Sequence, residues 1–404
     1  RIEHHPPLLR SIPTPLQIQK PFSHPFDICV RNKGEFWSAG PGASEAGSYF
    51  DFTGSASSVW ENFVKQRLMR YGITTAMWND NNEYEVDEGV QCYAGPVDEV
   101  GRSIQCILMA QASYRALLSI NRCERPCVIS RSVSPGAQRF VCQTWTGDNF
   151  TSWKSLRGNN AQGFNLGMCA FPSCGHDIGG FAGPKPSPEL FLRWVQNGIM
   201  QPRFTIHSYK PETNEVNEPW MYPEITDCVR RCLEMRYRLL PYIYQAHFEA
   251  HDTGLPVCRP LVMVHPGADD RDAGAQGEGV SIRTESRAWM FGEHLLVSPI
   301  GRSDEEYQRC DSSLVFRKVM QENAYETPIP FPVTKEAQYF CQVTTGKWIK
   351  IDAAENGGPT VKEILMPQTH ATVPTFARSG AVIPLAHVSG TPSFRPPAVA
   401  AMTP

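Results

Sequence analysis

Apolar residues recur every three or four positions after Ser58, and a short apolar run follows them. Ser58-Val-Trp-Glu has the form of a capping box, which predicts a helix start. The apolar stripe that follows comprises Val59, Trp60, Phe63, Val64 and Leu68. Residues 71–78 then form a short apolar and β-branched run that is typical of a buried parallel strand. A helix followed directly by such a strand predicts an α/β fold.

The same alternation continues through the middle of the chain. Further strands are predicted at residues 126–129 and around Phe140-Val141, and Ser187-Pro188-Glu189 predicts the capped start of a helix through Leu190, Phe191 and Trp194. One long helix is expected from about Asp227 to Gly254, with Pro241 inside it and Gly254 as its left-handed cap. Polar clusters follow the strands, as in a barrel enzyme whose loops converge on one site.

The pattern changes after about Trp289. Short apolar runs separated by Gly, Pro and Asp predict an appended β-sandwich, with strands at residues 295–300, 338–343, 348–351, 373–376 and 381–385. Residues 1–30 lack a sustained period and are expected to be irregular, and the Pro- and Ala-rich tail is expected to be loosely ordered.

Composition narrows the classes of partner. The net charge of −3, with 20% charged residues, is ordinary, and it argues against a nucleic-acid or membrane-surface binder. No apolar stretch approaches the roughly 18 residues that a membrane span requires, and no targeting segment is recognisable. The thirteen cysteines are expected to be mostly buried thiols, with room for one or two disulfides. Their odd, scattered arrangement leans towards an intracellular, reducing compartment, although the compartment stays open.

Two acidic clusters carry the candidate chemistry. Asp80 lies in Trp78-Asn79-Asp80-Asn81-Asn82-Glu83, directly after a predicted strand, and Asp148 lies in Trp145-Thr146-Gly147-Asp148-Asn149. Glycosidic cleavage requires such a pair: one carboxylate attacks the anomeric carbon, and one carboxyl group protonates the leaving oxygen. An aspartate at a strand end is more often a helix cap or turn former than a catalytic residue, so this pattern alone leaves both interpretations open.

Three further segments complete a recognisable series: Ile129-Ser130-Arg131-Ser132, residues 175–183 (Gly-His-Asp-Ile-Gly-Gly-Phe-Ala-Gly), and residues 201–207 (Gln-Pro-Arg-Phe-Thr-Ile-His). Together with the two acidic clusters, and in the same order, they resemble glycoside hydrolase family 31, the α-glucosidase family. The resemblance extends from about Gly34 to Leu385.

The resemblance implies a role for each matching residue. Asp80 corresponds to the nucleophile and Asp148 to the general acid/base. Substrate-binding roles are implied for Trp37 as a stacking residue, Trp78 and Phe181 as pocket walls, Arg131 as a hydroxyl-binding residue, Asp177 as the residue that orients this arginine, and His207 as a donor to sugar hydroxyls. No metal ligands and no cofactor are implied.

Several of these positions have a second interpretation. Arg131 and Asp177 could form a structural ion pair, Trp37 could be a core residue, and His207 taken alone fits a structural histidine. Asn149-Phe150-Thr151 matches a glycosylation sequon, which we interpret as fortuitous because a glycan inside the active-site motif would block it. Asn81 departs from the apolar residue usual after the family's nucleophile, which leaves the subfamily open.

The expected fold is a (β/α)8 barrel followed by a C-terminal β-sandwich. Its predicted parts are a barrel at residues 1–287, a sandwich at 288–390 and a flexible tail at 391–404. Compared with the family, the barrel is expected to be incomplete at its N-terminus by about two strands. A preceding segment or a second chain would then complete it.

The expected activity is that of a retaining, exo-acting α-glycosidase on the terminal non-reducing α-glucosidic bond of an oligosaccharide. An α-transglucosylase or an α-xylosidase of the same family is an alternative, and a catalytically inactive carbohydrate-binding subunit is a rival of another class. Neither a phosphate-binding Gly-x-x-x-x-Gly-Lys-Ser/Thr loop nor a His-Glu-x-x-His helix occurs in the sequence, which disfavours a nucleotide or metal enzyme.

Overall fold

The computed structural model describes residues 3–4, 31–32, 35–36, 49–264, 287–299, 301, 325–332, 337–343, 347–352, 361–368 and 373–386. Trp37, most of the predicted irregular start and the predicted tail at 391–404 lie outside these ranges. The chain divides into two compact units, one of Arg1–Gly147 with Met168–Cys174 and one of Asp148–Gly167 with Gly175–Pro404. The predicted boundary at residues 287/288 stays a prediction.

The α-helices of the described residues are α1 (Ala56–Arg70), α2 (Val97–Val100), α3 (Arg102–Ile120), α4 (Trp153–Met168), α5 (Pro188–Gly198), α6 (Thr226–Arg238), α7 (Leu240–Thr253) and α8 (Leu261–Val264). Two short 3-10 helices cover Ala137–Arg139 and Pro223–Ile225.

The β-strands in the same ranges are β1 (Glu3–His4), β2 (Arg31–Asn32), β3 (Glu35–Phe36), β4 (Ala76–Asn79), β5 (Gln91–Cys92), β6 (Gly95–Pro96), β7 (Cys127–Ser130), β8 (Thr144–Trp145), β9 (Cys174–Gly175), β10 (Asp177–Ile178), β11 (Thr205–Ile206), β12 (Cys258–Pro260), β13 (Trp289–Phe291), β14 (Leu295–Val297), β15 (Tyr325–Pro332), β16 (Gln338–Gln342), β17 (Trp348–Ile351), β18 (Val361–Gln368) and β19 (Thr375–Arg378).

The first unit contains a parallel sheet with strand order β1-β4-β7. Helix α1 precedes β4 and helix α3 precedes β7, so the predicted alternation of helix and parallel strand is confirmed here. The irregular structure expected for residues 1–30 is wrong at Glu3–His4, because this segment pairs with Trp78 and Asn79 along the edge of β4. Strand β4 is shorter than the predicted run at 71–78, since Tyr71 still caps the preceding helix.

The buried face of α1 comprises Ala56, Trp60, Val64 and Leu68, and it packs with residues of α3, β4 and β7 into one apolar core. The capping box predicted at Ser58 is wrong. The helix begins two residues earlier, and the backbone N–H of Ser58 already donates to the Ser55 carbonyl, 3.1 Å away. Strand β7 confirms the prediction at 126–129, whereas Phe140-Val141 is not a strand: the backbone N–H groups of both residues donate to the Ala137 carbonyl in a tight turn.

The second unit confirms the predicted start of α5. The Ser187 hydroxyl accepts a hydrogen bond from the backbone N–H of Leu190 at 3.2 Å, and Pro188 occupies the first turn, where its missing N–H is not needed. This helix is buried from Leu190 to its last residue, Gly198. Its residues Leu190, Phe191 and Trp194 belong to a large apolar core that also includes side chains of α6, α7, β13 and β14.

The single helix predicted from Asp227 to Gly254 is wrong. The chain forms two helices, α6 and α7, that meet at Leu239. Pro241 lies in the first turn of α7, and its ring and missing N–H oppose a continuous helix through the preceding turn. Gly254 ends α7 with φ of 78°, so the predicted left-handed cap is confirmed.

The C-terminal part of the second unit contains a six-stranded antiparallel sheet of order β12-β13-β14-β19-β16-β17 and an antiparallel pair of β15 with β18. Ile329 and Phe331 of β15 pack with Phe340 and Phe376 of the larger sheet. The strand predicted at residues 381–385 is wrong, because Pro384 has no N–H to donate and the N–H of Ala386 instead bonds the Arg238 carbonyl at 2.8 Å.

Among the eleven described cysteines only Cys106, Cys174, Cys232 and Cys258 are buried, so the expectation of mostly buried thiols is wrong. Burial raises the pKa of the Cys232 thiol to about 12. Within the described ranges, every helix is too short or too polar to cross a membrane.

Candidate active site

Asp80 and Arg131 follow the carboxyl ends of two neighbouring parallel strands. The register of β4 and β7 pairs Asn79 with Ser130, so the next residue of each chain segment leaves the sheet at the same edge. Asn79 is buried, whereas Asp80 is half-buried. This placement is the one that barrel enzymes use to direct side chains from strand ends into a cleft.

The guanidinium of Arg131 binds three side chains of the loop after β4. Its Nη1 lies 3.0 Å from Asp80 Oδ1, its Nε donates to Glu83 Oε1 at 2.7 Å, and its Nη2 donates to Glu83 Oε2 at 3.2 Å and to the Asn81 side-chain oxygen. Two carboxylates therefore share one guanidinium, and the bidentate contact with Glu83 fixes the plane of the group. Glu83 thus has a partner in Arg131, and Asn81 directs its amide oxygen towards the same arginine.

The loop that carries Asp80 has an unusual backbone. Asn81 has φ of 50° and Tyr84 has φ of 54°, both in the left-handed region, which a residue as bulky as tyrosine seldom adopts. Tyr84 is fully buried, and its hydroxyl donates to the Phe50 carbonyl at 2.7 Å. Such strain persists only where the surroundings hold it, and it is frequent at functional sites.

Asn82 joins the loops after β4 and β7. Its Nδ2 donates to the Ser130 hydroxyl at 2.9 Å, and its Oδ1 accepts from the backbone N–H of Ser132 at 2.9 Å. The amide is buried, and its donor and acceptor are both used. The two loops that present Asp80 and Arg131 are therefore locked to each other on both sides of the arginine.

Trp78 is a buried residue of β4, two positions before the nucleophile candidate. Its ring meets that of Trp145 edge-on, with centroids 4.9 Å apart and planes at 86°, and the Arg131 guanidinium lies 6.0 Å from the Trp145 ring centroid. Only 8% of Trp78 is exposed. The role of Trp78 as a wall of the sugar pocket stays a prediction, as does stacking by Trp37, which lies outside the described residues.

Charge near the loop after β4 affects a neighbouring phenol. Burial raises the pKa of the Tyr49 hydroxyl, the negative charges of Glu83 and Glu85 raise it further, and the positive charge of Arg131 opposes them. The Tyr49 ring packs on Tyr84 with centroids 4.8 Å apart. Tyr49 therefore stays protonated near neutral pH.

Asp148 belongs to the second unit and is exposed to solvent. The residue after it, Asn149, is bound on three sides. Its Nδ2 donates to the Asp177 carbonyl at 3.1 Å, its Oδ1 accepts from the Phe181 N–H at 2.9 Å, and its own carbonyl accepts from the Ala182 N–H at 3.0 Å. The acid/base candidate is therefore exposed on a segment whose next residue is fixed to residues 177–182.

Gly180 permits this close approach. Its φ is +87°, and a Cβ at this position would lie 2.2 Å from the Thr151 hydroxyl and 2.6 Å from its Cα. The Thr151 N–H in turn donates to the Ala182 carbonyl at 2.9 Å. A glycine is needed here both for the backbone conformation and for the space.

Asp177 is fully buried in β10, where it pairs in register with Thr205 of β11. Its Oδ1 lies 3.5 Å from Nη1 of Arg203, which is also buried. Asp177 therefore takes part in a buried ion pair within its own unit, and its role in orienting Arg131 stays a prediction. The neighbouring His176 is buried, accepts from the Trp194 indole N–H at 2.8 Å, and has its pKa lowered to about 4 by burial.

Phe181 and His207 lie together at the carboxyl ends of β10 and β11. Their ring centroids are 5.3 Å apart, and Tyr209 approaches Phe181 to 6.1 Å. Both residues are half-buried. Such a pair offers an apolar ring and a hydrogen-bonding imidazole side by side, which suits the two sides of a sugar ring.

Within the first unit, Trp78, Asp80 and Arg131 form one cluster, and within the second unit Phe181 and His207 form another, with Asp148 joined through Asn149 to the backbone of residues 177–182. No role was predicted from the sequence for Asn82, Asn149 or Lys210, a buried lysine three residues after His207. An asparagine within two residues of each catalytic candidate was the available signal for the first two. No group of three or more His, Cys, Asp or Glu side chains in the described residues is placed to hold a metal ion.

Comparison with known proteins places these motifs in a family. The model described as the glycosyl hydrolases family 31 TIM-barrel domain matches residues 20–246. The chain is 31% identical over 363 residues to neutral alpha-glucosidase C of Mus musculus, which covers 87% of this chain and 35% of that protein. The chain thus spans about a third of the length of this relative.

Two solved structures resemble the fold. The crystal structure of glucosidase II alpha subunit superposes with a TM-score of 0.70 at 24% identity, covering 87% of this chain and 35% of that one. A GH31 alpha-xylosidase from a soil metagenome, complexed with xylose, superposes with a TM-score of 0.67 at 24% identity, covering 89% and 50%. Together with the domain match, these superpositions identify the (β/α)8 barrel fold.

Proposed function

Because this chain belongs to glycoside hydrolase family 31, we propose that it carries the catalytic carboxylates of a retaining α-glycosidase that cleaves terminal, non-reducing α-glucosidic bonds. The observation that carries the proposal is the Asp80 carboxylate at the end of β4, held 3.0 Å from the Arg131 guanidinium. The 31% identity to a neutral alpha-glucosidase supports glucose as the sugar.

In the first step, an oxygen of Asp80 attacks the anomeric carbon and the bond to the leaving oxygen breaks. Asp148 gives its proton to that oxygen, so the alcohol leaves as a neutral molecule and a β-glycosyl ester of Asp80 remains. The geometry around Asp80 suits this role, because Arg131 fixes the carboxylate and is itself held by Glu83.

In the second step, water attacks the anomeric carbon while Asp148 takes its proton, and the ester bond to Asp80 breaks. Two inversions restore the α-configuration. Two carboxylates suffice for both steps, so no metal or organic cofactor is part of the proposal. The exposure of Asp148 supports its role, since this group must exchange protons with water in every cycle.

Phe181 and His207 of the second unit are proposed to bind the sugar, and the role of Asp177 in orienting Arg131 stays a prediction. Phe181 offers an apolar ring, and His207, 5.3 Å away between centroids, offers a hydrogen-bond donor. Substrate-binding roles are also proposed for Trp78 and Arg131, as the family membership implies. A β-sandwich built on the sheet of β12–β14, β16, β17 and β19 with the β15–β18 pair is proposed to follow the barrel. Completion of the barrel by a preceding segment or a second chain stays a prediction.

The experiment compares p-nitrophenyl α-glucoside with its α-xyloside analogue, using the wild-type protein and Asp80→Ala. We expect the wild type to release p-nitrophenol from the glucoside, to give α-glucose as the first-formed anomer by proton NMR, and Asp80→Ala to be inactive. First formation of β-glucose would contradict the retaining mechanism. Preference for the xyloside would shift the proposal to an α-xylosidase, and glucosyl transfer to added maltose in place of hydrolysis would shift it to a transglucosylase.

An inactive carbohydrate-binding subunit is the rival from another class. It predicts a folded wild-type protein that releases p-nitrophenol from neither substrate yet binds maltose in a calorimeter. The ion pair of Asp80 with Arg131 and the fixed segment around Asp148 support the enzyme, since a subunit that only binds sugar has no use for both carboxylates.

A further inference from the structure

Lys210 is a buried cation that the proposed mechanism does not use. It lies three residues after His207, in the segment that follows β11, and only 5% of it is exposed. Its Nζ donates to the Thr151 hydroxyl at 2.9 Å and to the carbonyl oxygens of Ala182 at 3.3 Å, Gly183 at 3.2 Å and Pro184 at 3.1 Å. Among the described residues, no carboxylate oxygen comes within 4.0 Å of this ammonium group.

A buried ammonium group is unfavourable unless its hydrogen atoms are all satisfied. The four oxygens around Lys210 meet that condition, and three of them are backbone carbonyls of consecutive residues that converge on one point. Without a cation these carbonyl dipoles would repel each other and turn outward. Lys210 is therefore suited to fix the course of residues 182–184, which an apolar side chain of the same length cannot do.

The Ala182 carbonyl connects this cation to the acid/base segment. It accepts the Thr151 N–H at 2.9 Å and the Thr151 hydroxyl at 3.0 Å in addition to the ammonium group. Thr151 lies three residues after Asp148. Phe150, which lies between these two residues in the sequence, forms a parallel β-bridge with Ala182. The Lys210 ammonium thus holds both the residue that ends the acid/base segment and the turn against which that segment lies.

We propose that Lys210 is a positioning residue for Asp148: through Thr151 and the carbonyls of residues 182–184 it holds segment 148–151 so that the Asp148 carboxyl reaches the leaving oxygen. The inference rests on the proposed glycosidase function. Burial lowers the pKa of the Lys210 ammonium, and the negative charge of Glu215 opposes this effect.

Dependence on the leaving group separates this role from a merely structural one. A misplaced acid slows the departure of a poor leaving group, such as the glucose of maltose, far more than that of fluoride, which leaves with little protonic assistance. A general loss of folded protein lowers both rates equally. The ratio of kcat/KM for maltose to kcat/KM for α-glucosyl fluoride therefore reports the placement of Asp148.

The test measures this ratio for the wild type, Lys210→Met and the control Lys185→Met. Lys185 lies beside the same turn but is exposed and pairs with Glu215 at 3.5 Å. We expect Lys210→Met to lower the ratio by about tenfold or more, while Lys185→Met leaves it within about twofold of the wild type. An unchanged ratio in folded Lys210→Met, whatever its overall rate, overturns the inference.

Thr151→Val provides a second variant in case Lys210→Met does not fold. It removes the hydroxyl that accepts from Lys210 and keeps the shape of the side chain. We expect a fall in the ratio in the same direction, and a combined variant whose fall is smaller than the product of the two single effects, because both changes break the contact between Lys210 and Thr151. A Thr151→Val ratio equal to that of the wild type overturns the part of the inference that acts through Thr151, and an unchanged ratio in the combined variant overturns the whole. A wild-type protein inert to both substrates overturns the proposed function itself.

Discussion

The guanidinium of Arg131 and the carboxylate of Asp80 are in contact, 3.0 Å apart, because the two residues leave neighbouring parallel strands at the same edge of one sheet. The register of β4 with β7 therefore sets the geometry of the nucleophile. Glu83 adds a second carboxylate to the same guanidinium, so the arginine cannot turn away without breaking two further hydrogen bonds.

If Asp80 is the nucleophile, added azide should restore turnover to a variant that lacks its carboxylate. Asp80→Ala should lower kcat for an α-glucoside by about a thousandfold or more, since no glycosyl ester can form. Azide can then occupy the space left by the Asp80 carboxylate and attack an activated substrate such as α-glucosyl fluoride from that side. The product is β-glucosyl azide. The anomeric coupling in the proton NMR spectrum identifies this product, and formation of the α-azide would contradict the assignment of Asp80.

If Asp148 is the acid/base, azide should give the opposite anomer of glucosyl azide in a variant that lacks this carboxyl group. In Asp148→Ala, α-glucosyl fluoride still forms the glycosyl ester, but water attacks slowly without a base. Azide, which needs no base, should intercept the ester and yield α-glucosyl azide. Asp252→Ala, an exposed aspartate near the end of α7, is the control and should behave as the wild type. Absence of azide acceleration in Asp148→Ala would count against this role.

Replacement of Arg131 by lysine should lower the activity. Arg131→Lys keeps one positive charge but loses the paired contacts of Nε and Nη2 with Glu83, so we expect kcat/KM to fall by about a hundredfold with a small change in Tm. Arg122→Lys makes the same change at an exposed position before β7 and should have no effect. Equal activity of the two variants would show that the fork geometry of Arg131 is dispensable.

His176 makes the folded protein sensitive to acid. Burial lowers its pKa to about 4, whereas the unfolded chain has the ordinary value near 6.5, so the unfolded state binds the proton first as the pH falls. The contribution of neutral His176 to the free energy of unfolding is fully present above pH 6.5. It falls by about 3 kcal/mol as the pH falls from 6.5 to 4.

Urea unfolding at pH 7.5 and at pH 4.5 measures this loss. His176→Gln, whose amide can still accept from Trp194, should show a smaller difference between the two pH values than the wild type. His251→Gln, at an exposed position in α7, is the matched control and should retain the wild-type difference. If His176→Gln and the wild type lose the same free energy of unfolding, another group carries the acid sensitivity.

Gly180 should resist replacement by alanine. Both Gly180 and Gly89 have a positive φ, so alanine costs about 1 kcal/mol of backbone strain at either position. Only at Gly180 would the new Cβ meet Thr151, at 2.2 Å from its hydroxyl, and we expect an additional loss of about 2 kcal/mol. Thermal unfolding of Gly180→Ala and Gly89→Ala compares the two, and similar Tm values would show that the contact relaxes freely.

Local signals predicted local structure well. Ser187-Pro188 marked the start of α5, and Gly254 marked the end of α7, because capping depends on residues a few positions apart. The polar residues after β4 and β7 were predicted to converge, since parallel strands present their ends at one edge. The break between α6 and α7 at Leu239 had no comparable signal at Leu239 itself. It came from Pro241, whose effect on the preceding turn outweighed the helical pattern.

Contacts between distant residues could not be predicted. Asn82 bonds Ser130, 48 positions away, and Lys210 bonds Thr151, 59 positions away. An asparagine or lysine in a polar loop has the same appearance in sequence whether it faces solvent or is buried among carbonyl groups. The pairing of Asp177 with Arg203 likewise depends on the parallel register of β10 with β11, which residue types alone do not specify.

Asn79, the residue before the nucleophile, ends a chain of hydrogen bonds that begins on the helices. The Trp60 indole donates to the Ser113 hydroxyl at 2.9 Å, which donates to Asn79 Oδ1 at 3.0 Å, and all three residues are buried. A screen of random variants for catalytic turnover would therefore retain the same three side chains, Trp60, Ser113 and Asn79, as a screen for thermal tolerance. Improvement of this protein by directed evolution should consequently begin with libraries that leave these three positions unchanged.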